Sequence, residues 1–371
     1  MDETRPLVIL AAGGTGGHLF PAEALSVALA RRSIAVELAT DERATRYGAA
    51  FPAAATHVIP SETVRGRNPL ALARTAAILA LGTFKAWTLL GRRKPVAVVG
   101  FGGYPTLPPV LAATLRRIPT IIHDSNAVIG RANRMLAPRV TAIATTFPGI
   151  LDKQPALAAK ATQTGNPIRP AVIAAAATAY AAPSADGHLR LLIFGGSQGA
   201  RVMADVVPDA IARLDPPLRA RLALAQQVRD EDRDRVAATY DRHGVAAEVA
   251  PFFTDLPARM ADAHLVISRS GATTVAELAA IGRPSILVPL PGALDQDQFA
   301  NATVLQKAGG AILLVQDAFT PERLAQEIAN FAAAPDRLAA MAHGAKSAGA
   351  TDAADQLADL VLKVARLPRM S

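Results

Sequence analysis

Leu7-Val8-Ile9-Leu10-Ala11-Ala12-Gly13-Gly14-Thr15-Gly16-Gly17-His18 is the stretch on which the fold turns. An uninterrupted apolar run of strand length ends in glycines, and a helical pattern, Leu19–Arg32, opens directly behind it. A strand that is apolar on both faces belongs in a parallel sheet covered by helices, so this element implies βαβ architecture. The glycines permit a tight turn, bring backbone N–H groups near a ligand and leave a helix N-terminus for anionic oxygen. A G-x-G-x-x-G dinucleotide fingerprint is not met, because counting from Gly14 its third glycine falls on Leu19. Glu37, near the place of a ribose-binding acid, keeps that reading open. A Walker A loop fails, since no Gly-Lys-Ser/Thr follows. A plain strand-to-helix turn would need fewer glycines. His18, beside four glycines, is a candidate general base with an unperturbed pKa near ~6.5. Standing alone it would read as an ordinary helix-start histidine.

The same alternation continues outward. Ile34–Ala39, Val96–Gly100, Thr120–His123 and Val140–Ala144 read as further strands, with Pro105–Arg117 as a helix between two of them. Ala171 to Gly187, rich in alanine with Pro183, Ser184 and Asp186, reads as a connector. A second series then begins with Leu189–Phe194, Ala246–Val249, Leu265–Ser268, Ser285–Pro289 and Ala311–Val315, and Pro321 to Arg366 reads as helices. The fold class is α/β, with two Rossmann-like doubly wound domains whose strand C-termini face a shared cleft. The expected boundaries are 1–167, 168–350 and a helical tail, 351–371, packing back toward the first domain.

Length agrees, since 371 residues exceed one ordinary α/β domain. No cysteine is present, which excludes disulfides and thiolate metal sites. The acidic start, Met1 to Pro6, is unlike a signal peptide. No uncharged apolar run approaches the ~20 residues of a membrane span, and Leu70–Leu90 is interrupted by Arg74 and Lys85, so a soluble or peripheral protein is expected. Residues 1–167 carry 19 Lys+Arg against 9 Asp+Glu, and no acid occurs between Glu62 and Asp124. One-sided positive charge favours an anionic partner such as a membrane surface or a phosphate-bearing lipid. Nucleic acid is disfavoured, because the basic stretch is apolar and lacks interleaved aromatics.

Other loops follow other strands. Gly100-Phe101-Gly102-Gly103-Tyr104-Pro105 could shape an acceptor pocket or only a close helix–strand contact. Gly195-Gly196-Ser197-Gln198-Gly199 joins strand to helix, and the Ser197 hydroxyl with helix-start amides suits a diphosphate. In Ser268-Arg269-Ser270-Gly271-Ala272-Thr273-Thr274-Val275-Ala276-Glu277, small residues admit a ligand and Glu277 could accept ribose hydroxyls. The blander reading is a helix start whose acid complements the dipole. Asp295-Gln296-Asp297-Gln298 invites a divalent cation, but an acid-rich first helical turn explains it as well. Arg169 and helix amides can neutralise a diphosphate, so a cation is at most an assistant and no metal site or other cofactor is expected.

Together these segments resemble the bacterial peptidoglycan glycosyltransferases of the MurG type, from the Gly13 loop to Asp297-Gln298-Phe299-Ala300-Asn301-Ala302. His123 to Asn126, Arg131-Ala132-Asn133-Arg134 and Gly165-Asn166-Pro167-Ile168-Arg169 agree in order. The resemblance implies a GT-B fold and inverting transfer of N-acetylglucosamine from UDP-N-acetylglucosamine to undecaprenyl-diphospho-N-acetylmuramoyl-pentapeptide, serving cell wall biogenesis, shape and division. It implies that Thr15, Gly16 and Gly17 approach the sugar, with Gly102, Gly103 and Tyr104 on the acceptor side. Asn126 and Gln298 would contact the sugar, Arg169 the diphosphate and Ser197 the phosphates. Phe253 would meet the uracil through its backbone, and Ala272, Thr273, Thr274, Val275, Ala276 and Glu277 would hold phosphate and ribose. Where the family usually has His-Glu-Gln-Asn, this chain has His123-Asp124-Ser125-Asn126, and Asp297 stands where His or Gln is common.

Against that background, Asn68 to Arg93 reads as a helix carrying Leu70, Leu79, Phe84, Trp87 and Leu90, with Lys85, Arg92 and Arg93 completing a patch for an anionic bilayer. The implied location is the cytoplasmic face of the plasma membrane, with other cell-wall synthesis proteins as candidate partners. A UDP-N-acetylglucosamine 2-epimerase, a non-catalytic sugar-nucleotide-binding subunit and a nicotinamide oxidoreductase remain the rivals.

Overall fold

The computed structural model describes residues 5–13, 15–42, 51–63, 68–184, 186–196, 199–293 and 296–368. The chain divides into two compact units, one of residues up to Arg169 together with those from Thr351, the other Pro170–Ala350. In the first, β1 (Leu7–Ala11), α1 (Gly16–Arg31), β2 (Ala35–Thr40), β3 (Ala55–Val58), α2 (Pro69–Arg93), β4 (Ala97–Gly100), α3 (Leu107–Leu115), β5 (Thr120–Asp124), α4 (Arg131–Leu136), β6 (Ala142–Thr145), α5 (Pro155–Ala158) and β7 (Ala161–Gln163) follow in order. The second contains α6 (Pro170–Ala176), β8 (Leu189–Phe194), α7 (Arg201–Ala212), α8 (Pro216–Ala220), β9 (Leu222–Gln227), α9 (Asp230–Arg242), β10 (Ala246–Ala250) and α10 (Leu256–Asp262). It continues through β11 (Leu265–Ser268), α11 (Ala272–Ile281), β12 (Ser285–Leu287), α12 (Asp297–Lys307), β13 (Ala311–Leu313), α13 (Pro321–Ala333) and α14 (Pro335–Ser347). The last helix, α15 (Ala353–Ala365), belongs to the first unit.

Both sheets are parallel, in the orders β3-β2-β1-β4-β5-β6-β7 and β10-β9-β8-β11-β12-β13. Their central strands are apolar on both faces because helices cover both. Val8 and Leu10 sit in one core cluster while Ile9 and Ala11 sit in another. The first of these clusters also takes Leu357, Ala358 and Val361 of α15. Arg32 reaches Asp355 at 2.8 Å and Asp359 at 3.2 Å, fastening α15 to α1.

The order of strands reverses between β1 and β4 in one sheet and between β8 and β11 in the other. Open α/β sheets bind ligands in the crevice beyond the strand C-termini at such a switch point. The register places Ala11 beside Gly100, and Phe194 beside Ser268, so the loops on either side of each switch leave their strands at one level.

Several expectations need correction. The connector expected over Ala171–Gly187 opens with α6. Arg283 donates to Thr178 O, just beyond that helix, at 3.1 Å, and Lys346 Nζ to Ala176 O at 2.9 Å. Strands β3, β7 and β9 were not foreseen. On α2, Leu79 packs against the core rather than joining an exposed patch, and Leu90 is buried. Arg93 is turned onto the Glu37 carboxylate, with its Nε donating at 3.0 Å.

Candidate functional site

Beyond β1, Thr15 is the N-cap of α1 in extended geometry, and its carbonyl accepts from His18 N and Leu19 N, both at 3.2 Å. Gly13 is closely packed: a Cβ would lie 2.9 Å from Asp41 Oδ1 and 3.1 Å from Pro105, so a side chain there would displace its neighbours. Gly16 is buried and Gly17 exposed. Across the switch point, Gly102 and Gly103 take φ of 85° and 72°. The His18 ring lies against them, with Cε1 3.4 Å from the Cβ position of Gly102 and Nε2 3.2 Å from that of Gly103. Thr106 fixes this loop by donating to Gly102 O at 2.7 Å and Ala11 O at 3.1 Å. Tyr104, half-buried, opens a short 3-10 turn leading to α3. Burial lowers the His18 pKa from the ordinary histidine value, partly opposed by the Phe101 backbone, so the ring is neutral at pH 7.

The end of β5 adds a second group. His123 is fully buried and donates from Nε2 to Gly165 O at 3.0 Å. Burial drives its pKa down to about 4; the Gly165 carbonyl opposes this and His18 adds to it. The Asp124 carboxylate accepts from Asn126 N at 3.1 Å, Gly130 N at 2.8 Å and Asn133 Nδ2 at 3.0 Å. Asp124, one of the departures from the family pattern, therefore folds the loop that carries Asn126, which is half-buried. Arg169 stacks its guanidinium 3.9 Å from the Phe20 ring centroid. Glu23 is raised above the usual carboxylate range by burial, with the Arg169 charge opposing.

Glu37 cannot serve a ribose as it stands. It lies within β2, fully buried, and is held by Arg93 and by His57 Nε2 at 2.9 Å. Burial alone would raise its carboxyl, but those two partners hold it below the usual range. The dinucleotide reading thereby loses its acid.

In the second unit, Gly195 is required after β8, because a Cβ there would lie 2.1 Å from Ala200 N. Gly196 and Gly199 take positive φ. Ser197 lies outside the described residues, as does Asp295 of the proposed acidic pair. After β11, Gly271 caps α11, on which Ala272, Thr273, Thr274 and Ala276 are half-buried while Val275 and Glu277 are buried. Arg269, itself buried, donates to Val288 O at 3.0 Å, Pro289 O at 2.9 Å and Gln316 Oε1 at 2.6 Å. Ser270 Oγ donates to Gln298 O at 2.8 Å, and Asn301 Nδ2 to Ser270 O at 3.3 Å. These bonds tie the loop after β11 to the loop after β12.

The Gln298 side chain faces that second loop, accepting from Leu290 N at 3.0 Å. Asp297 Oδ1 accepts from Gln298 N at 2.7 Å, as a residue of a first helical turn does. Phe253 is buried with Arg259 4.2 Å over its ring. Among the described residues, no group of three or more His, Cys, Asp or Glu could hold a metal ion. Arg269 and Asn301 belong to the Ser268–Glu277 and Asp297–Ala302 motifs, but their bracing roles depend on partners distant along the chain.

Helix α2 supplies a separate surface. Among the described residues it is the one helix long and apolar enough to cross a membrane by length and composition. It nevertheless buries Thr75, Gly82, Ala86 and Leu90 against its own unit. Phe84 is 64% exposed, Trp87 and Leu81 are also exposed, and Lys85 and Arg92 flank them. Leu81 was overlooked in the sequence. Arg116 stacks 3.7 Å over Trp87.

Residues 8–145 match the N-terminal domain of glycosyltransferase family 28, and residues 190–357 match its C-terminal domain. The chain is 67% identical over 366 residues to the UDP-N-acetylglucosamine–N-acetylmuramyl-(pentapeptide) pyrophosphoryl-undecaprenol N-acetylglucosamine transferase of Rhodopseudomonas palustris (strain BisA53), covering 99% of this chain and 98% of that protein. It is 65% identical over 365 residues to the protein of the same name from Bradyrhizobium diazoefficiens, covering 98% and 100%. The crystal structure of Acinetobacter baumannii MurG superposes with a TM-score of 0.77 at 29% identity, covering 96% of this chain and 99% of that one. A Listeria monocytogenes protein described as a UDP-N-acetylglucosamine 2-epimerase superposes at 0.71 with 16% identity over 99% of each chain, a likeness of fold alone.

Proposed function

Since the chain belongs to the MurG-type glycosyltransferases of family 28, we propose that it transfers N-acetylglucosamine from UDP-N-acetylglucosamine to undecaprenyl-diphospho-N-acetylmuramoyl-pentapeptide. The observation that carries this reading is 67% identity across 99% of the chain to a transferase of that name. In each unit, glycine loops beyond a switch point supply the chemistry such a transfer needs.

The step is a single displacement with inversion. His18 Nε2 takes the proton of the muramoyl 4-hydroxyl, whose oxygen bonds to the anomeric carbon of the α-linked donor as the bond to UDP breaks. The electron pair leaves on the diphosphate, and the product is β-1,4-linked. Arg169, helix-start amides and Ser197 meet the charge that develops there. Thr15, Gly16, Gly17 and Asn126 line the donor sugar, and Gly102, Gly103 and Tyr104 face the acceptor. Glu277 with Ala272–Ala276 holds ribose and phosphate, and the Phe253 backbone reads the uracil. Gln298, engaged with Leu290 N, contacts the sugar through its remaining amide hydrogens. The exposed apolar stripe of α2, with Lys85 and Arg92, rests on the anionic cytoplasmic face of the plasma membrane.

UDP release from UDP-N-acetylglucosamine, with and without a short-chain lipid-linked muramoyl-pentapeptide, tests the reaction. Acceptor-dependent release with a disaccharide product is expected, and release without acceptor would overturn it in favour of an epimerase. His18→Ala should lower kcat by roughly 10²-fold or more with donor binding intact. Turnover is expected to persist in a chelator, and its loss would add a divalent cation to the reaction.

A further inference from the structure

Among the polar side-chain atoms buried in the first unit without a hydrogen-bond partner are two from complementary groups: Nδ1 of His18 and Oδ1 of Asn133. Both side chains press on one piece of bare backbone. A Cβ on Gly102 would lie 3.4 Å from Asn133 Nδ2, 3.4 Å from His18 Cε1 and 3.6 Å from His18 Nδ1. The Nδ1–Cε1 edge of the ring and the amide end of Asn133 thus meet at the same glycine, whose φ of 85° would strain any other residue.

Asn133 is not free to turn. Its amide nitrogen donates to His123 O at 2.9 Å and to Asp124 Oδ2 at 3.0 Å, which uses both hydrogens. The Asp124 carboxylate is fixed in turn by Asn126 N and Gly130 N. What remains on Asn133 is an acceptor held in place. Leaving such a buried group unpaired costs about 1–3 kcal/mol, which a donor brought to it would relieve.

We infer that Asn133 is a positioning residue for His18, its Oδ1 accepting a hydrogen bond from Nδ1–H and so fixing the tautomer whose Nε2 lone pair faces the acceptor hydroxyl. The assignment rests on the reading of His18 as the base. A base whose second nitrogen is tied to a fixed acceptor has one tautomer and one orientation. A neutral amide achieves this without the rise in basicity that a carboxylate would impose. The Phe101 carbonyl, close to the same ring, is the competing acceptor.

Side-chain ¹⁵N–¹H spectra of the full chain labelled at histidine, with UDP-N-acetylglucosamine bound, read the tautomer directly; a His18→Gln spectrum identifies the signal. The wild type should carry its proton on Nδ1, and Asn133→Ala should shift it toward Nε2. The same variant should lower kcat by about tenfold to hundredfold. A wild-type proton on Nε2 overturns the proposal and requires no variant to fold. An unchanged tautomer in Asn133→Ala also overturns it and assigns the role to the Phe101 carbonyl. If His18→Ala keeps its turnover while the tautomer shift is observed, the base reading fails and the pairing stands. If His18→Ala is inactive and the tautomer does not respond to Asn133, only the pairing fails.

Discussion

One carboxylate, Asp124, holds three donors from a loop of ten residues. Replacing it with alanine strands Asn126 N, Gly130 N and Asn133 Nδ2, and should lower stability by about 3 kcal/mol, seen as a lower urea midpoint at unchanged slope. Burial holds His123 and His264 at about 4, against an ordinary 6.5. The unfolded chain binds those protons first. Each histidine's contribution is therefore fully present above pH 6.5 and lost as pH falls toward 4, by up to about 3 kcal/mol apiece. Urea midpoints at pH 7 and pH 5 check this, and His123→Gln should flatten the difference. The sequence showed where glycines and His18 stand, because turn chemistry is local. It could not show that Asp124 is a clamp or that Glu37 is bound by Arg93, fifty-six positions away, because such partners meet only through the fold.

Helix α2 is only half legible in the sequence. Its existence was legible in its length, its Asn68 cap and its acid-free composition. Which of its apolar residues face outward was not, since the outward and inward stripes are both alanine- and leucine-rich. Leu79 therefore exchanged places with Leu81. Strand β9, Leu222–Gln227, was missed for a similar reason: Leu-Ala-Leu-Ala-Gln-Gln has no β-branched residue to separate it from a helix. The docking of α2 depends on Gly82, where a Cβ would lie 2.1 Å from the Pro60 carbonyl. Gly82→Ala should cost about 2 kcal/mol through displacement of backbone, measured as a lower Tm. Leu81→Ser with Phe84→Ser should instead leave Tm nearly unchanged and weaken binding to anionic vesicles.

At the scale of the molecule, alternation of strand and helix was sufficient to identify two parallel α/β units, because buried parallel strands are apolar runs of recognisable length. The strand orders, and hence the switch points, needed the structure. Charge is also distributed at this scale, with residues 1–167 holding 19 basic against 9 acidic side chains and the remainder nearly balanced. Vesicle binding should therefore fall steeply as salt rises from about 0.01 M to 0.15 M, as the screening length contracts from about 30 Å to about 8 Å.

The attachment of α15 to α1 has a consequence for how the chain is made. The first unit lacks Leu357, Ala358 and Val361 until α15 has been synthesised, with the whole of Pro170–Ala350 translated in between. Its β1–β7 sheet must wait with one apolar face covered by α1 alone, while the unit encoded later can close as soon as it emerges. The order of synthesis is thus the reverse of the order of completion, and a stop anywhere before Ala353 leaves the earlier unit unfinished rather than merely shortened.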